Sequence, residues 1–125
     1  MRLLLDTHAS LWWVMDDPRL SLGARAAIRA PENELFTSAA AAYEIIYKQG
    51  LGRLDPLPDS LSRQLQREGI AVLAISLDHA LAAAALPGPH RDPWDRIMMA
   101  QATVEGLTVI TVDPRFAEYG VPVLW

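Results

Sequence analysis

The sequence predicts an α/β domain of three layers, with helices on both faces of a central, mainly parallel sheet. Three observations lead there. Short apolar runs alternate with helical segments along the chain, the pattern of a parallel sheet with crossover helices. The opening run, Leu3–Leu5, is apolar without alternation, as a strand covered on both faces is. No repeat, low-complexity tract or linker interrupts the 125 residues, so one domain spanning 1–125 is expected.

The elements follow in order. Arg2–Asp6 reads as a buried strand, and Thr7–Met15 as a helix stopped by Asp16, Asp17 and Pro18. Ser21 suits the cap of a second helix through about Arg29, with Pro31 beyond it. Glu34–Ser38 reads as strand two. Ala39–Gly50 is alanine-rich, basic late and closed by glycine, hence a helix. After a proline-bearing loop, Asp59 is expected to cap a helix that stops at Gly69. Ile70–Ser76 reads as a strand rich in β-branched residues, and Asp78–Leu86 as a helix closed by Pro-Gly-Pro. A helix from Pro93 runs to about Glu105, with Gly106 as its stop. Leu107–Val112 is a strand. Val121–Trp125 is expected at a sheet edge, since Pro122 cannot donate to a central ladder.

Composition narrows the function. Hydrophobic residues make up 51% of the chain and mean hydropathy is +0.12, which argues against disorder. The uncharged stretch Ile70–Leu77 is too short to span a bilayer. The N-terminus carries an acid at position 6 and no small-residue cleavage site, so no signal peptide is expected and a cytoplasmic location is the default. The absence of cysteine excludes disulfides, thiolate zinc sites and cysteine nucleophiles. Net charge is −4, whereas nucleic-acid binders are more often basic. A local basic rim, or an acidic cluster holding a metal, reconciles the two.

Ligands bind open α/β sheets at the carboxyl ends of the strands. Asp6 closes the first strand and Asp113 follows the late one. Each also suits a helix cap, and for any one acid alone the cap is the better reading. In the segment His90–Arg96, Asp92 suits the cap, Pro93 the first helical position and Asp95 the first turn. Glu44 lies mid-helix and cannot cap; taken alone it is a surface partner of Lys48 at i, i+4. Four carboxylates brought together would repel and raise one another's pKa. A hard divalent cation, Mg²⁺ or Mn²⁺, is the natural counter-charge for an all-oxygen set.

Three blocks carry a resemblance. They are "LLLDTHASLWW" (3–13), "TSAAAAYEIIYKQGLGRL" (37–54) and "HRDPWDRIMMAQATVEGLTVITVD" (90–113). In this order and at this length the chain resembles the PIN-domain ribonucleases, most closely the VapC-type toxins of bacterial toxin–antitoxin pairs. Tyr43 stands where tryptophan is common and Trp94 where phenylalanine is common; both are aromatic exchanges. The resemblance implies that Asp6, Glu44, Asp95 and Asp113 bind Mg²⁺ or Mn²⁺ and activate water to cut an RNA phosphodiester, transfer RNA being a plausible substrate. Asp6 and Asp95 would be the core ligands, with Asp113 and Glu44 completing the site or orienting water. It also implies a homodimer, and an antitoxin whose C-terminal segment occupies the active-site groove.

Lesser candidates surround these. Thr7 offers a hydroxyl or amide to the site, or is an ordinary first-turn residue. Ser38 is most simply a helix cap, though in the family a hydroxyl here lies near the metal. Asp92 is read as a cap first and an outer ligand second. Thr111 is expected to share Asp113's side of the strand, its β propensity being reason enough for it. Lys48, Arg53, Arg91, Arg96 and Arg115 are candidates for a basic RNA rim. The three histidines are not spaced as a zinc site; His90, next to Arg91, could face phosphate, but a loop residue without a role is the expectation. Of the adjacent Trp12 and Trp13, one is expected in the core and one exposed at an interface. A receiver-type domain would need paired acids after strand one and a late lysine; the last lysine is Lys48. A haloacid-dehalogenase-type phosphatase would need an aspartate where His8 stands. The remaining alternative is a non-catalytic RNA- or protein-binding scaffold on the same fold.

Overall fold

The computed structural model describes all 125 residues. Five strands form one wholly parallel sheet: β1 (Arg2–Leu5), β2 (Glu34–Ser38), β3 (Ile70–Leu73), β4 (Thr108–Ile110) and β5 (Val123–Leu124). Their spatial order is β3-β2-β1-β4-β5. Seven helices connect and cover them: α1 (Thr7–Val14), α2 (Leu22–Arg29), α3 (Ala39–Gly50), α4 (Leu61–Arg67), α5 (Leu77–Ala85), α6 (Pro93–Glu105) and α7 (Pro114–Glu118).

The sheet is sealed on both faces. Leu3, Leu4 and Leu5 of β1 are all fully buried, and successive side chains leave opposite faces. Leu3 and Leu5 join Ala9, Ala24, Ile28, Leu65 and Ile110 in one core. Leu4 joins Met98, Met99, Val109 and Phe116 in the other. Helix α3 serves both, through Ile45 on one side and Ala41 on the other. The architecture is thus three layers, α/β/α, as the alternation of elements predicts, and Pro122 lies beside the edge strand β5.

Several boundaries differ from the sequence reading. Strand β3 ends at Leu73, not Ser76. Ser76 instead caps α5: its Oγ accepts the His79 N–H, and His79 Nδ1 accepts the Ser76 N–H. This reciprocal capping box draws the chain off the sheet. Helix α4 is capped by Ser60 rather than Asp59; Asp59 pairs instead with Arg63 and Arg67. Strand β4 stops at Ile110, leaving Thr111 and Val112 as a short bridge to Asp113. The tryptophans also differ. Both are half-buried: Trp12 lies beneath Arg19 and against Trp125, while Trp13 lies beneath Arg29 and donates its indole N–H to Glu68. Both pack against the core from its rim, so neither is the fully buried one the sequence reading expects.

The order of strands fixes where a site can form. From central β1 the chain builds outward through β2 and β3 on one side and through β4 and β5 on the other. The crevice at a topological switch lies beyond the carboxyl ends of the strands flanking the reversal. Here those strands are β1 and β4.

Candidate active site

Asp6 leaves β1 directly into that crevice. It caps α1, its Oδ1 accepting the Ala9 N–H at 2.8 Å. Its Oδ2 accepts the Thr111 hydroxyl at 2.5 Å. It is only 5% exposed, and none of these partners is a cation. Burial pushes its carboxyl up to about 6, against the lowering by the Thr111 and Ala9 hydrogen bonds and by nearby His8; the charge of Asp95 adds to the rise.

Across the switch, Asp113 caps α7 by accepting the Arg115 N–H. Its carboxylate also holds the Arg115 guanidinium at 3.0 Å. Partial burial raises this carboxyl, but the Arg115 side-chain and backbone hydrogen bonds outweigh it and hold Asp113 below the usual range. Thr111 ties the two acids together: its hydroxyl donates to Asp6 and accepts the Asp113 N–H at 3.0 Å. Threonine's β propensity therefore does not account for this residue, which lies beyond the strand and bridges both aspartates.

The first turn of α6 supplies the third arm. Asp92 is its cap, Oδ1 accepting the N–H groups of Trp94 and Asp95, and Pro93 follows at the first helical position. Asp95 projects from that turn, and its Oδ2 meets His90 Nε2 at 2.8 Å. Burial raises the Asp95 carboxyl, opposed by the His90 hydrogen bond and reinforced by the charges of Asp92 and Asp113. Helix α3 supplies the fourth. Glu44 is 8% exposed; Oε1 accepts the Thr7 hydroxyl and Oε2 the Lys48 ammonium, each at 2.7 Å. The Glu44–Lys48 pair of the sequence reading exists, but it is turned inward, not solvated. Ser38 is buried and caps α3 through the Ala40 N–H.

Capping and ligation are compatible here. Asp6, Asp92 and Asp113 each cap with Oδ1, which fixes the carboxylate and aims the second oxygen. Asp95 feels the charges of Asp92 and Asp113, Asp6 feels that of Asp95, and Glu44 is tied to Thr7, the residue after Asp6; Lys48 and Arg115 are each already paired. The donor set is all oxygen, and its most buried member has no cationic partner. This fits a hard divalent cation. No three acids or histidines close directly round one point.

His90 is the functional candidate the sequence reading passed over. It touches Asp95 through Nε2 and the Arg115 guanidinium through Nδ1 at 3.3 Å. It thereby joins the α6 arm to the α7 arm. Its only sequence signal is its place five residues before Asp95, ahead of a capped helix. Arg96 is a correction. Its guanidinium donates to the carbonyls of His90, Ala83 and Leu86, so it fastens the loop and is not available as an RNA contact. Arg91 and Arg53 are exposed.

Comparison with known proteins gives the family. Residues 3–122 match the model of the PIN domain. The chain belongs to the PIN-domain family. It is 31% identical over 122 residues to ribonuclease VapC22 of Mycobacterium tuberculosis, covering 96% of this chain and 93% of that protein. The fold is shared with VapBC2 of Rickettsia felis, solved bound to a promoter DNA fragment (TM-score 0.74, 15% identity, 98% and 97% coverage). DNA-bound VapBC of Salmonella typhimurium is also similar (TM-score 0.66, 19% identity, 98% and 96% coverage). The chain is thus a VapC-type PIN protein. No helix is long and apolar enough to cross a membrane.

Proposed function

We propose that this PIN protein is a metal-dependent endoribonuclease, the toxin of a bacterial toxin–antitoxin pair, cutting RNA phosphodiesters at the β1/β4 crevice. The observation that carries the reading is Asp6: a buried carboxylate that feels the charge of Asp95, fixed by a hydroxyl and an amide and lacking a cationic partner. Such a group costs stability unless a positive ligand joins it. Asp6 and Asp95 would hold Mg²⁺ or Mn²⁺, directly or through water, with Asp113 and Glu44 completing the set. The bound ion supplies an activated water and offsets charge on the transferring phosphoryl group.

The chain's own residues do the rest. Thr111 holds Asp6 and the Asp113 backbone in register. Thr7 and Lys48 fix both oxygens of Glu44, so that carboxylate orients a water without swinging away. Arg115, half exposed beside Asp113, meets a phosphate oxygen, and Arg91 and Lys48 extend the positive rim despite the negative total. The partners belong to the same reading. Tyr43, Ile46 and Tyr47 on α3, with Leu77 and Leu81 on α5, leave apolar surface exposed, which suits a second copy of the chain and an antitoxin. The setting is cytoplasmic, and transfer RNA is one candidate substrate.

The test is RNA cleavage by purified protein freed of any partner. Cutting should require Mg²⁺ or Mn²⁺, stop with EDTA, and be lost in Asp6→Ala. Cutting that survives Asp6→Ala and Asp95→Asn unchanged would refute the site. Equal growth of bacteria expressing wild type and Asp6→Ala would count against the toxin role and favour a scaffold.

A further inference from the structure

A cavity of about 520 Å³ opens beside the acid cluster, between the Pro87–His90 turn and the Arg115–Tyr119 segment. Nothing in the metal-site chemistry uses it. We propose that it is a binding subsite for one RNA nucleotide next to the scissile phosphate, with guanine the base its walls suit best. The proposal rests on the nuclease reading for the RNA itself.

Size is the first argument. The volume falls within the range of small-ligand pockets, roughly 300–1,000 Å³, and suits a nucleotide. Wall chemistry is the second. Pro87, Pro89 and the Tyr119 ring line it, and flat apolar or aromatic faces are what unpaired bases stack on. His90 and Arg115 line it as well. These are the residues bonded to Asp95 and Asp113, so the cavity opens directly onto the proposed metal site. A base seated in it places its phosphate at the half-exposed Arg115, which offers charge-assisted hydrogen bonds.

Glu118 supplies the selectivity. It is exposed on α7, three residues after Arg115, hence on the same helix face. Its carboxylate is an acceptor only. The Watson–Crick edge of guanine presents two adjacent N–H donors, N1 and N2, that a carboxylate accepts together. Adenine and cytosine offer one amino group beside an acceptor, and uracil one N–H between two carbonyls.

The walls are also fixed in advance. Gly88 sits at φ +92°, and a Cβ there would lie 2.6 Å from the Tyr119 hydroxyl. The Tyr119 hydroxyl accepts the His90 N–H at 3.0 Å. Arg96 fastens the carbonyls of Ala83, Leu86 and His90. A preformed pocket loses little freedom when it is filled.

The experiment is a titration of the intact protein with 5′-GMP, 5′-AMP, 5′-CMP and 5′-UMP in EDTA, followed by amide NMR. The expected result is that GMP shifts the Gly88, His90 and Tyr119 amides at low millimolar concentration, at least about fivefold tighter than the other three. Glu118→Gln should remove that preference and leave AMP binding unchanged. No shift at these amides with any mononucleotide overturns the proposal, as does a GMP preference that survives Glu118→Gln. So does displacement of GMP from the cavity by free arginine at equal concentration, which would mark the cavity as a seat for a basic peptide. Metal-dependent RNA cleavage without nucleotide binding would sink the subsite and leave the nuclease; GMP binding without cleavage would do the reverse.

Discussion

Asp6→Asn should make the metal-free protein more stable at neutral pH while destroying its activity. Burial raises the Asp6 carboxyl from 3.8 to about 6, so ionising it in the fold is about 3 kcal/mol harder than in the unfolded chain. Because the folded value lies above the unfolded one, the folded state binds more protons between pH 4 and 6. Stability from this group is therefore present at low pH, falls as pH rises through that window, and is fully lost above about 6. Asparagine carries no charge and avoids the penalty. It does not recover all of it. The Ala9 N–H requires an acceptor at Oδ1, so the new amide nitrogen must face Thr111. The Thr111 hydroxyl then loses the acceptor it has in Asp6, a cost of about 1 kcal/mol. A net gain of about 2 kcal/mol at pH 7.5 remains. Urea unfolding in EDTA at pH 4 and pH 7.5 measures it. The variant should be ahead of wild type only at the higher pH. A variant less stable than wild type at pH 7.5, or a gain equal at both pH values, refutes the argument that Asp6 is a buried, unpaired charge.

Other expectations follow from named contacts. Thr111→Val removes the hydroxyl that serves Asp6 and the Asp113 N–H; it should cost about 1–3 kcal/mol in urea melts and lower cleavage. His90→Asn breaks the link between Asp95 and Arg115, and should weaken Mn²⁺ binding, read by electron paramagnetic resonance, about tenfold or more. Gly88→Ala forces a side chain into φ +92° against Tyr119. It should cost more than about 1 kcal/mol, seen as a lower midpoint in thermal unfolding.

The fold and the three capping aspartates were legible in the sequence because their signals are local. A cap is read from the acid and the proline after it, as at Asp92–Pro93 and Asp113–Pro114. Alternating runs place Asp6 and Asp113 at strand ends, and the parallel order then brings those ends together. Glu44 needed more: its i, i+4 lysine says nothing about whether the pair faces water or Thr7. His90 and Thr111 were given too little weight for a related reason. Each owes its role to a partner on another element, and each has a bland local reading, one as a loop residue and one as a strand former. Arg96 misled in the opposite sense, because a charge beside a site looks free until the carbonyls that hold it are visible. The cap of α4 was missed by one residue because Asp59 and Ser60 are both good caps, and Arg63 and Arg67 draw Asp59 away.

The central claim is that the carboxylates of the β1/β4 crevice together hold a divalent cation that drives RNA cleavage. Mn²⁺ titration of the partner-free protein, with RNA cleavage followed in the same samples, tests it most directly. The account predicts saturable Mn²⁺ binding in wild type, with cleavage rising along the binding curve, and loss of both in Asp95→Asn. Cleavage in EDTA, or Mn²⁺ binding and cleavage unchanged in Asp95→Asn, would contradict it.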